Sequence, residues 1–279
     1  MKTGSRAVVA GLPVFVRPTE RIGMRTEQSR RENVAVVILA AGLGTRMKSS
    51  KAKVLHEIGG KPMILFVVET AAKVAGPDVV LVVGHQADQV RDLVRRKFEA
   101  IFALQSEQRG TGHAVQCALP ALPSHAEQVV ILCGDVPLIT TDTITSLIDD
   151  HIRLNRDVSM VAVKMAEPRG YGRVLQDKRG EVVGIVEEAD ATPSQRRITT
   201  VNSGIYCVKR DVLEQCLNPL KADNAQGELY LTDIVGIAGA NGLRVGALVR
   251  DDESELLGVN TLDDLSKMES ILRAPKESA

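Results

Sequence analysis

Residues 34–39 read Val-Ala-Val-Val-Ile-Leu, six apolar positions with no polar alternation. A strand with one wet face alternates, so an unbroken β-branched run predicts a strand buried on both faces. The signature recurs at 79–83 and 129–133, and a further short strand is expected at 101–104. Between these runs, residues 62–75, 87–97 and 111–119 carry apolar side chains at helical spacing, and Pro62 stands where a first helical turn tolerates proline. Alternating strands and helices predict right-handed crossovers onto a parallel sheet. After Asp135 the rhythm changes. Residues 158–165, 173–176, 181–186 and 205–208 are strand-like and separated by short turns such as Lys178-Arg179-Gly180, which predicts an antiparallel or mixed insertion on the same sheet. Helical patterns return at 211–217, 229–238 and 262–272. The expected fold is α/β: a Rossmann-like, mixed, mostly parallel sheet flanked by helices, with a β-rich insertion. One domain is expected over residues 34–272, after a poorly specified extension (1–33, within which Met24 could also initiate) and before a tail (273–279).

Composition narrows the function classes. The 279 residues carry 35 basic and 35 acidic side chains, for a formal charge of zero, which removes the usual electrostatic argument for a nucleic-acid or membrane-surface partner. Three Tyr, four Phe and no Trp are too few for a stacking platform along a nucleic-acid strand. No run approaches the roughly 18 apolar residues of a spanning helix. Cys117, Cys133, Cys207 and Cys216 form no C-x-x-C pair and sit in apolar surroundings, so free buried thiols in a reducing, cytoplasmic setting are expected. Lys2 and Arg6 before the apolar run 7–16 faintly resemble a secretory leader, but five arginines follow with no A-x-A site, so secretion is not expected.

Ligands of an open parallel sheet bind beyond the carboxyl ends of its strands. The first such loop is Leu39-Ala40-Ala41-Gly42-Leu43-Gly44-Thr45-Arg46-Met47. Its small residues let backbone N–H groups approach phosphate oxygens, and Arg46 adds a bidentate cation. The loop lacks the third glycine of the dinucleotide fingerprint and does not fit G-x-x-x-x-G-K-[ST]. A nicotinamide-dependent oxidoreductase is therefore remote.

Extended through Lys53-Val-Leu-His56 and Gly59-Gly-Lys-Pro-Met63, this loop resembles the signature of the sugar-1-phosphate nucleotidyltransferases. Within that family the likeness is to the uridylyltransferase domain of bifunctional N-acetylglucosamine-1-phosphate uridylyltransferase/acetyltransferases. Further blocks agree in order: residues 104–114 (LQSEQRGTGHA), 134–138 (GDVPL), 170–173 (GYGR), 202–204 (NSG) and 224–228 (NAQGE), the last continuing to Leu231-Thr-Asp233. The resemblance spans about residues 34–265. It implies the nucleotide-diphospho-sugar transferase fold, in which the β-rich insertion binds the sugar. It also implies Mg²⁺ as cofactor and UTP with N-acetylglucosamine 1-phosphate as substrates, forming UDP-N-acetylglucosamine, a cell-wall precursor, and pyrophosphate. No nucleic acid or membrane is implied as a partner.

The residue roles follow from the same resemblance. Arg46 and Lys53 would hold triphosphate oxygens and offset charge at the α-phosphorus, as the catalytic pair. Leu39, Ala40, Ala41, Gly42, Gly44, Gly134 and Asp135 would line the nucleotide, while Gln105, Gly110 and Thr111 would meet the base, the amide of Gln105 matching the imide edge of uracil. Gly172, Glu187, Asn202 and Asn260 would contact the substrate, and Asp135 with Asn260 would ligate the metal, consistent with the few protein oxygens Mg²⁺ usually takes. Glu188 could stand in for Glu187 in a shifted register. Asp190 and His113 are read as ordinary polar residues.

Departures from the family pattern are also legible. Leu43 replaces a common Lys, leaving Arg46, Lys53 and Lys61 as the expected triphosphate cations. Cys133 stands where Tyr is frequent, and Leu229 replaces an aromatic. The hexapeptide-repeat β-helix of the bifunctional enzyme does not follow before Ala279, so no acetyltransferase activity is expected. Two alternatives stay open: a glucose-1-phosphate uridylyl- or thymidylyltransferase, since Gln105 cannot separate uracil from thymine, and a nucleotide-sugar-binding regulatory subunit with little turnover.

Overall fold

The computed structural model describes residues 33–273; the expectations for residues 1–32 and 274–279 lie outside the described residues. In chain order, the first half contains β1 (Val34–Ala40), the two-residue strands β2 (Glu57–Ile58) and β3 (Lys61–Pro62), and then α1 (Met63–Ala75). It continues through β4 (Val79–Val83), α2 (Ala87–Arg95), β5 (Ile101–Leu104), α3 (Thr111–Ala118) and β6 (Gln128–Cys133). The second half contains α4 (Thr141–Arg153), β7 (Val158–Lys164), β8 (Arg173–Gln176), β9 (Val182–Val186) and β10 (Thr200–Lys209). Then follow α5 (Arg210–Leu217), α6 (Asp233–Ala240), β11 (Val245–Arg250) and α7 (Leu262–Arg273).

The main sheet runs β11-β7-β10-β6-β1-β4-β5, with β8 paired to β10 and β9 to β8. The pairs β6–β1, β1–β4, β4–β5 and β11–β7 are parallel, whereas β10 is antiparallel to both β6 and β7. Along this path only β10 is therefore reversed, and the carboxyl ends of the others share one rim. That reversal brings the beginning of β10, not its end, to the same rim, and Asn202 lies there.

Side chains of β1 alternate between the two faces of the sheet. Val34, Val36, Ile38 and Ala40 join one buried cluster with α1 and α4, while Ala35 and Val37 join the other with α3, α5 and α6. Each fully buried aliphatic side chain contributes about 1.5–3 kcal/mol, so the strands of the rim are anchored from both sides. That rigidity lets the loops beyond them hold chemistry.

Three local expectations change. The pattern at 229–238 predicts a helix from residue 229, but α6 starts at Asp233. The backbone before it is engaged elsewhere: Leu229 N–H donates to Arg109 O (2.8 Å), Leu229 O accepts from Gly112 N–H (2.8 Å), and Leu231 N–H donates to Thr111 Oγ1 (3.0 Å). The strand at 205–208 extends to ten residues. Helix α4, capped by Thr140 Oγ1 accepting from Thr143 N–H, and edge strand β11 have no counterpart in the sequence reading. Pro62 immediately precedes α1 and lies in β3.

A buried polar triad ties α4 to the sheet. His151 (1% exposed) has Nδ1 2.8 Å from Ser159 Oγ and Nε2 3.0 Å from Gln128 Oε1. Burial, reinforced by Lys209 and Arg156 against Asp157 and Asp150, depresses its pKa to about 3. A histidine in the unfolded chain titrates near 6.5, so the native state stays neutral where the unfolded state takes up a proton. Its contribution is present above about pH 6.5 and is lost as pH falls toward 3, with a limiting slope of about 1.4 kcal/mol per unit. Urea unfolding should show wild type losing close to this much relative to His151→Asn between pH 5.5 and 4.5. Parallel pH curves for the two proteins would place the titration elsewhere.

Candidate active site

The first loop beyond β1 is shaped by glycine where the backbone demands it. Gly44 has φ +64°, and a Cβ there would meet Lys53 Cβ at 2.6 Å. The absence of that atom lets the 3₁₀ turns Thr45–Met47 and Lys53–Leu55 pack together. Met47, Val54 and Leu55 are buried beneath them, and Gln86 Oε1 accepts from Ala52 N–H at 2.6 Å. Lys53 is thus carried on an anchored turn rather than a free loop.

Beyond β6, Gly134 N–H donates to Leu39 O at 2.9 Å, and a Cβ at Gly134 would sit 3.0 Å from that oxygen. Asp135 follows at the rim. Its carbonyl accepts from Val259 N–H (2.8 Å), which draws the segment leading to Asn260 alongside. Thr261 and Asp264 cap α7 reciprocally, and Asp264 Oδ2 also accepts from Asn260 N–H at 2.9 Å. A helix start therefore fixes Asn260.

These supports bring together four side chains distant in sequence. Lys53 Nζ donates to Asp135 Oδ2 and, at 2.8 Å, to Asn260 Oδ1; Arg46 Nη2 donates to the same Asn260 oxygen at 2.8 Å. One carboxylate oxygen and one amide oxygen are thus held at a single lysine ammonium, with a guanidinium alongside. Among the described residues no group of three His, Cys, Asp or Glu side chains could hold a metal. Two hard oxygens from Asp135 and Asn260 are nevertheless a donor set suited to Mg²⁺, which takes one or two protein oxygens and fills its shell with phosphate and water. Lys61 does not join them. It pairs with Glu69 (2.5 Å) and lies 4.3 Å over the Phe66 ring, away from the other two cations expected from sequence.

On one side of this cluster lies the buried Gln105 at the end of β5, its backbone N–H on Val83 O at 2.8 Å. Its Nε2 donates to Gly110 O at 3.0 Å and lies 3.2 Å from His113 Nδ1. Gly110 has φ +103°, and a Cβ there would meet Leu229 O at 2.6 Å, so no other residue fits. Thr111 opens α3 and uses its hydroxyl to receive Leu231 N–H.

On the other side, Glu187 follows β9 and borders a cavity, and the buried Asn202 lies near the start of β10. Thr232 Oγ1 donates to Glu187 Oε1 at 3.0 Å, and a Cβ on Gly172 would lie 3.3 Å from Glu187 Oε2. Burial first, then Asp233 and Asp190, pushes the Glu187 carboxyl above its ordinary range despite the hydrogen bond from Thr232. Glu188 is engaged elsewhere: it pairs at 2.6 Å with the guanidinium of Arg173, which is 2% exposed. Of the two, Glu187 is the one that borders the cavity. Asn202 Oδ1 accepts from Gly204 N–H at 3.1 Å across a bulge where Gly204 has φ +79° and leaves room for the Cys133 thiol. Burial, with Asp135 adding to it, pushes that thiol up to about 12, so it stays protonated.

Glu187 borders a cavity of about 260 Å³, lined also by Asp190, Asn224, Tyr230 and Thr232. A larger depression of about 770 Å³, between Val183, Gly236 and Val245, lies apart and contains none of these residues. Asp190, expected to be an ordinary polar residue, lines this cavity together with Tyr230 and Thr232, for which no individual role is expected from sequence. The signal for the last two was present in the 224–233 block; Asp190 carried none beyond its type.

Residues 35–278 match the family described as nucleotidyl transferase. This chain belongs to that family. The nucleotidyltransferase is 47% identical over 241 residues to the bifunctional protein GlmU of Geotalea uraniireducens, covering 86% of this chain and 53% of that protein. It is also 47% identical over 234 residues to GlmU of Mycolicibacterium gilvum, covering 82% and 47%. The chain spans about half the length of the curated relatives it matches. Among solved structures, a Bacillus anthracis protein described as a glucose-1-phosphate thymidylyltransferase, in complex with sucrose, superposes with a TM-score of 0.69 at 19% identity, over 88% of this chain and 98% of the other. That likeness shows the nucleotidyltransferase fold: a mixed, mostly parallel sheet flanked by helices. No helix among the described residues is long and apolar enough to cross a membrane.

Proposed function

We propose that this nucleotidyltransferase is a Mg²⁺-dependent uridylyltransferase that forms UDP-N-acetylglucosamine and pyrophosphate from UTP and N-acetylglucosamine 1-phosphate. The observation that carries the reading is the meeting of Arg46, Lys53, Asp135 and Asn260 at one point of the rim, between Gln105 at the end of β5 and the cavity beside Glu187. A phosphate oxygen of the sugar phosphate attacks the α-phosphorus of UTP, and the bond to the β-phosphate oxygen breaks to release pyrophosphate. Both reactants are polyanions, so positioning and charge neutralisation supply most of the acceleration, and no protein nucleophile is required.

In this reading Lys53 and Arg46 hold phosphate oxygens, and the backbone of residues 39–44 and Gly134 approaches the nucleotide closely. The Gln105 amide and the backbone at Gly110 and Thr111 meet the uracil edge. Gly172, Glu187 and Asn202 hold the sugar hydroxyls. Asp135 and Asn260 would hold Mg²⁺, which when bound neutralises charge at the reacting phosphates. The acetamido preference and cytoplasmic location rest on the resemblance of the 224–228 block and its family. The thymidylyltransferase described for the Bacillus neighbour keeps a thymidylyl reading in view, because Gln105 offers the same groups to thymine and uracil.

The test is pyrophosphate release across a panel of UTP, dTTP, N-acetylglucosamine 1-phosphate and glucose 1-phosphate, with Mg²⁺ and with EDTA. Release with UTP and N-acetylglucosamine 1-phosphate, abolished by EDTA, is expected. Preference for another pair would reassign the substrates, and binding without turnover would favour a regulatory subunit.

A further inference from the structure

Asp190 closes a short turn after β9, its N–H donating to Glu187 O at 3.0 Å. Both of its carboxylate oxygens are occupied by one segment. Oδ1 accepts from Ala225 N–H at 2.8 Å, and Oδ2 accepts from Tyr230 OH at 3.2 Å. The segment so held is itself ordered: Asn224 Oδ1 accepts from Gln226 and Glu228 N–H at 3.2 Å each, and Asn224 Nδ2 donates to Glu228 O at 2.6 Å. Asp190, Asn224 and Tyr230 line the same 260 Å³ cavity as Glu187 and Thr232, so the contact ties the turn after β9 to residues 225–230 along one space.

The carboxylate is held there against its neighbours. Burial and then Asp190 raise the Asp233 carboxyl, burial with Asp233 and Asp190 raises that of Glu187, and burial with Asp190 pushes Tyr230 above its usual range, which keeps the phenol a donor. A turn alone would be served as well by Asn, without that repulsion. What Asn cannot do is accept two hydrogen bonds on its two terminal atoms, since one of them is an NH₂ donor. Here a backbone N–H and a phenol both donate to Asp190, and with Asn the phenol would have to turn and accept instead.

We infer that Asp190 is a positioning residue for sugar selection: it fixes Tyr230 and the 224–228 loop as part of the cavity wall that Glu187 shares, and so sets the shape offered to the sugar 1-phosphate. This deepens the proposed function and rests on it. Asp190 acts through Tyr230 and Ala225 and need not touch the substrate itself.

Steady-state kinetics of the full chain with UTP, N-acetylglucosamine 1-phosphate and glucose 1-phosphate test this. Asp190→Ala should raise KM for N-acetylglucosamine 1-phosphate about tenfold and narrow its advantage over glucose 1-phosphate, with kcat and KM for UTP within about threefold of wild type. Asp190→Asn, which keeps one acceptor, should fall between Asp190→Ala and wild type. Tyr230→Phe, which removes one donor and keeps the ring, should raise the same KM and add little to the effect of Asp190→Asn. Equal rises in both KM values accompanied by a lowered Tm would reduce Asp190 to a structural turn residue, and an unchanged KM in an active enzyme would remove the inference alone. A wild type with no turnover on any sugar phosphate would overturn the proposed function and this inference with it.

Discussion

Lys53→Ala is expected to lower kcat/KM about 10³-fold, the magnitude lost when a preorganised cationic or oxyanion donor is removed from a site of developing charge. The structure supplies the reason for so large an effect. Lys53 rides on a turn whose neighbours are buried and whose close packing on Gly44 excludes even one extra carbon. Its ammonium reaches both Asp135 and Asn260, so no second side chain occupies the same point; Arg46 touches only Asn260. The cost to folding should be small, about 1 kcal/mol or less, because the pair with Asp135 retains access to water on both partners. Comparing kcat/KM with the urea midpoint separates the two effects. A variant within tenfold of wild type would show that Lys53 is not the cation of the α-phosphate.

The second large effect is expected at Asp135. Asp135→Asn keeps the shape and one oxygen but removes the charge, and turnover should fall by about 10²–10³-fold as a metal-supported charge interaction is lost. Nucleotide affinity should survive better, within about fivefold. The base and phosphate contacts proposed for residues 39–44, Gln105 and Gly110 do not depend on Asp135, and a removed carboxylate repels the triphosphate less. The two quantities come from UTP titration by calorimetry and from turnover against Mg²⁺ concentration. The variant's rate should respond only weakly to Mg²⁺. Unchanged turnover would take Asp135 out of the metal site.

The parallel half of the sheet was legible in sequence because doubly buried strands leave an unbroken apolar record, as at residues 79–83, all five of them fully buried. The reading failed where tertiary bonds overrode local periodicity. Residues 229–232 carry a helical pattern, yet their backbone groups are taken by Arg109, Thr111 and Gly112, a long-range arrangement that spacing cannot show. Likewise α4 begins with a threonine-rich turn of weak intrinsic helix preference and depends on the Thr140 cap and burial of Ile144, Leu147 and Ile148.

The site was legible in a different way. The family resemblance names Arg46, Lys53, Asp135 and Asn260, and the fold brings them together, although 214 residues separate the first from the last. What no motif could disclose was each side chain's engagement. Lys61 is an attractive cation on paper, yet it is spent on Glu69 and Phe66. Glu188 and Glu187 are indistinguishable as letters and are separated only by the demand of a buried Arg173. Asp190 reads as an ordinary polar residue, and its two-sided grip becomes visible only when residues 225 and 230 are folded back onto it.

The backbone ties between Leu229 and residues 109–112 have a consequence for how such proteins diversify. By strand order alone the reversed β10 offers a clean seam, with a nucleotide half hung from β1, β4, β5 and β6 and an exchangeable half hung from β7 to β10. The ties cross that seam. A recombinant that imported a foreign 158–232 segment alone would carry its own version of residue 229 against a resident 109–112 loop. Inheritance of a new sugar preference is therefore coupled to inheritance of Arg109–Gly112, and shuffling that respects only the strand order breaks this joint.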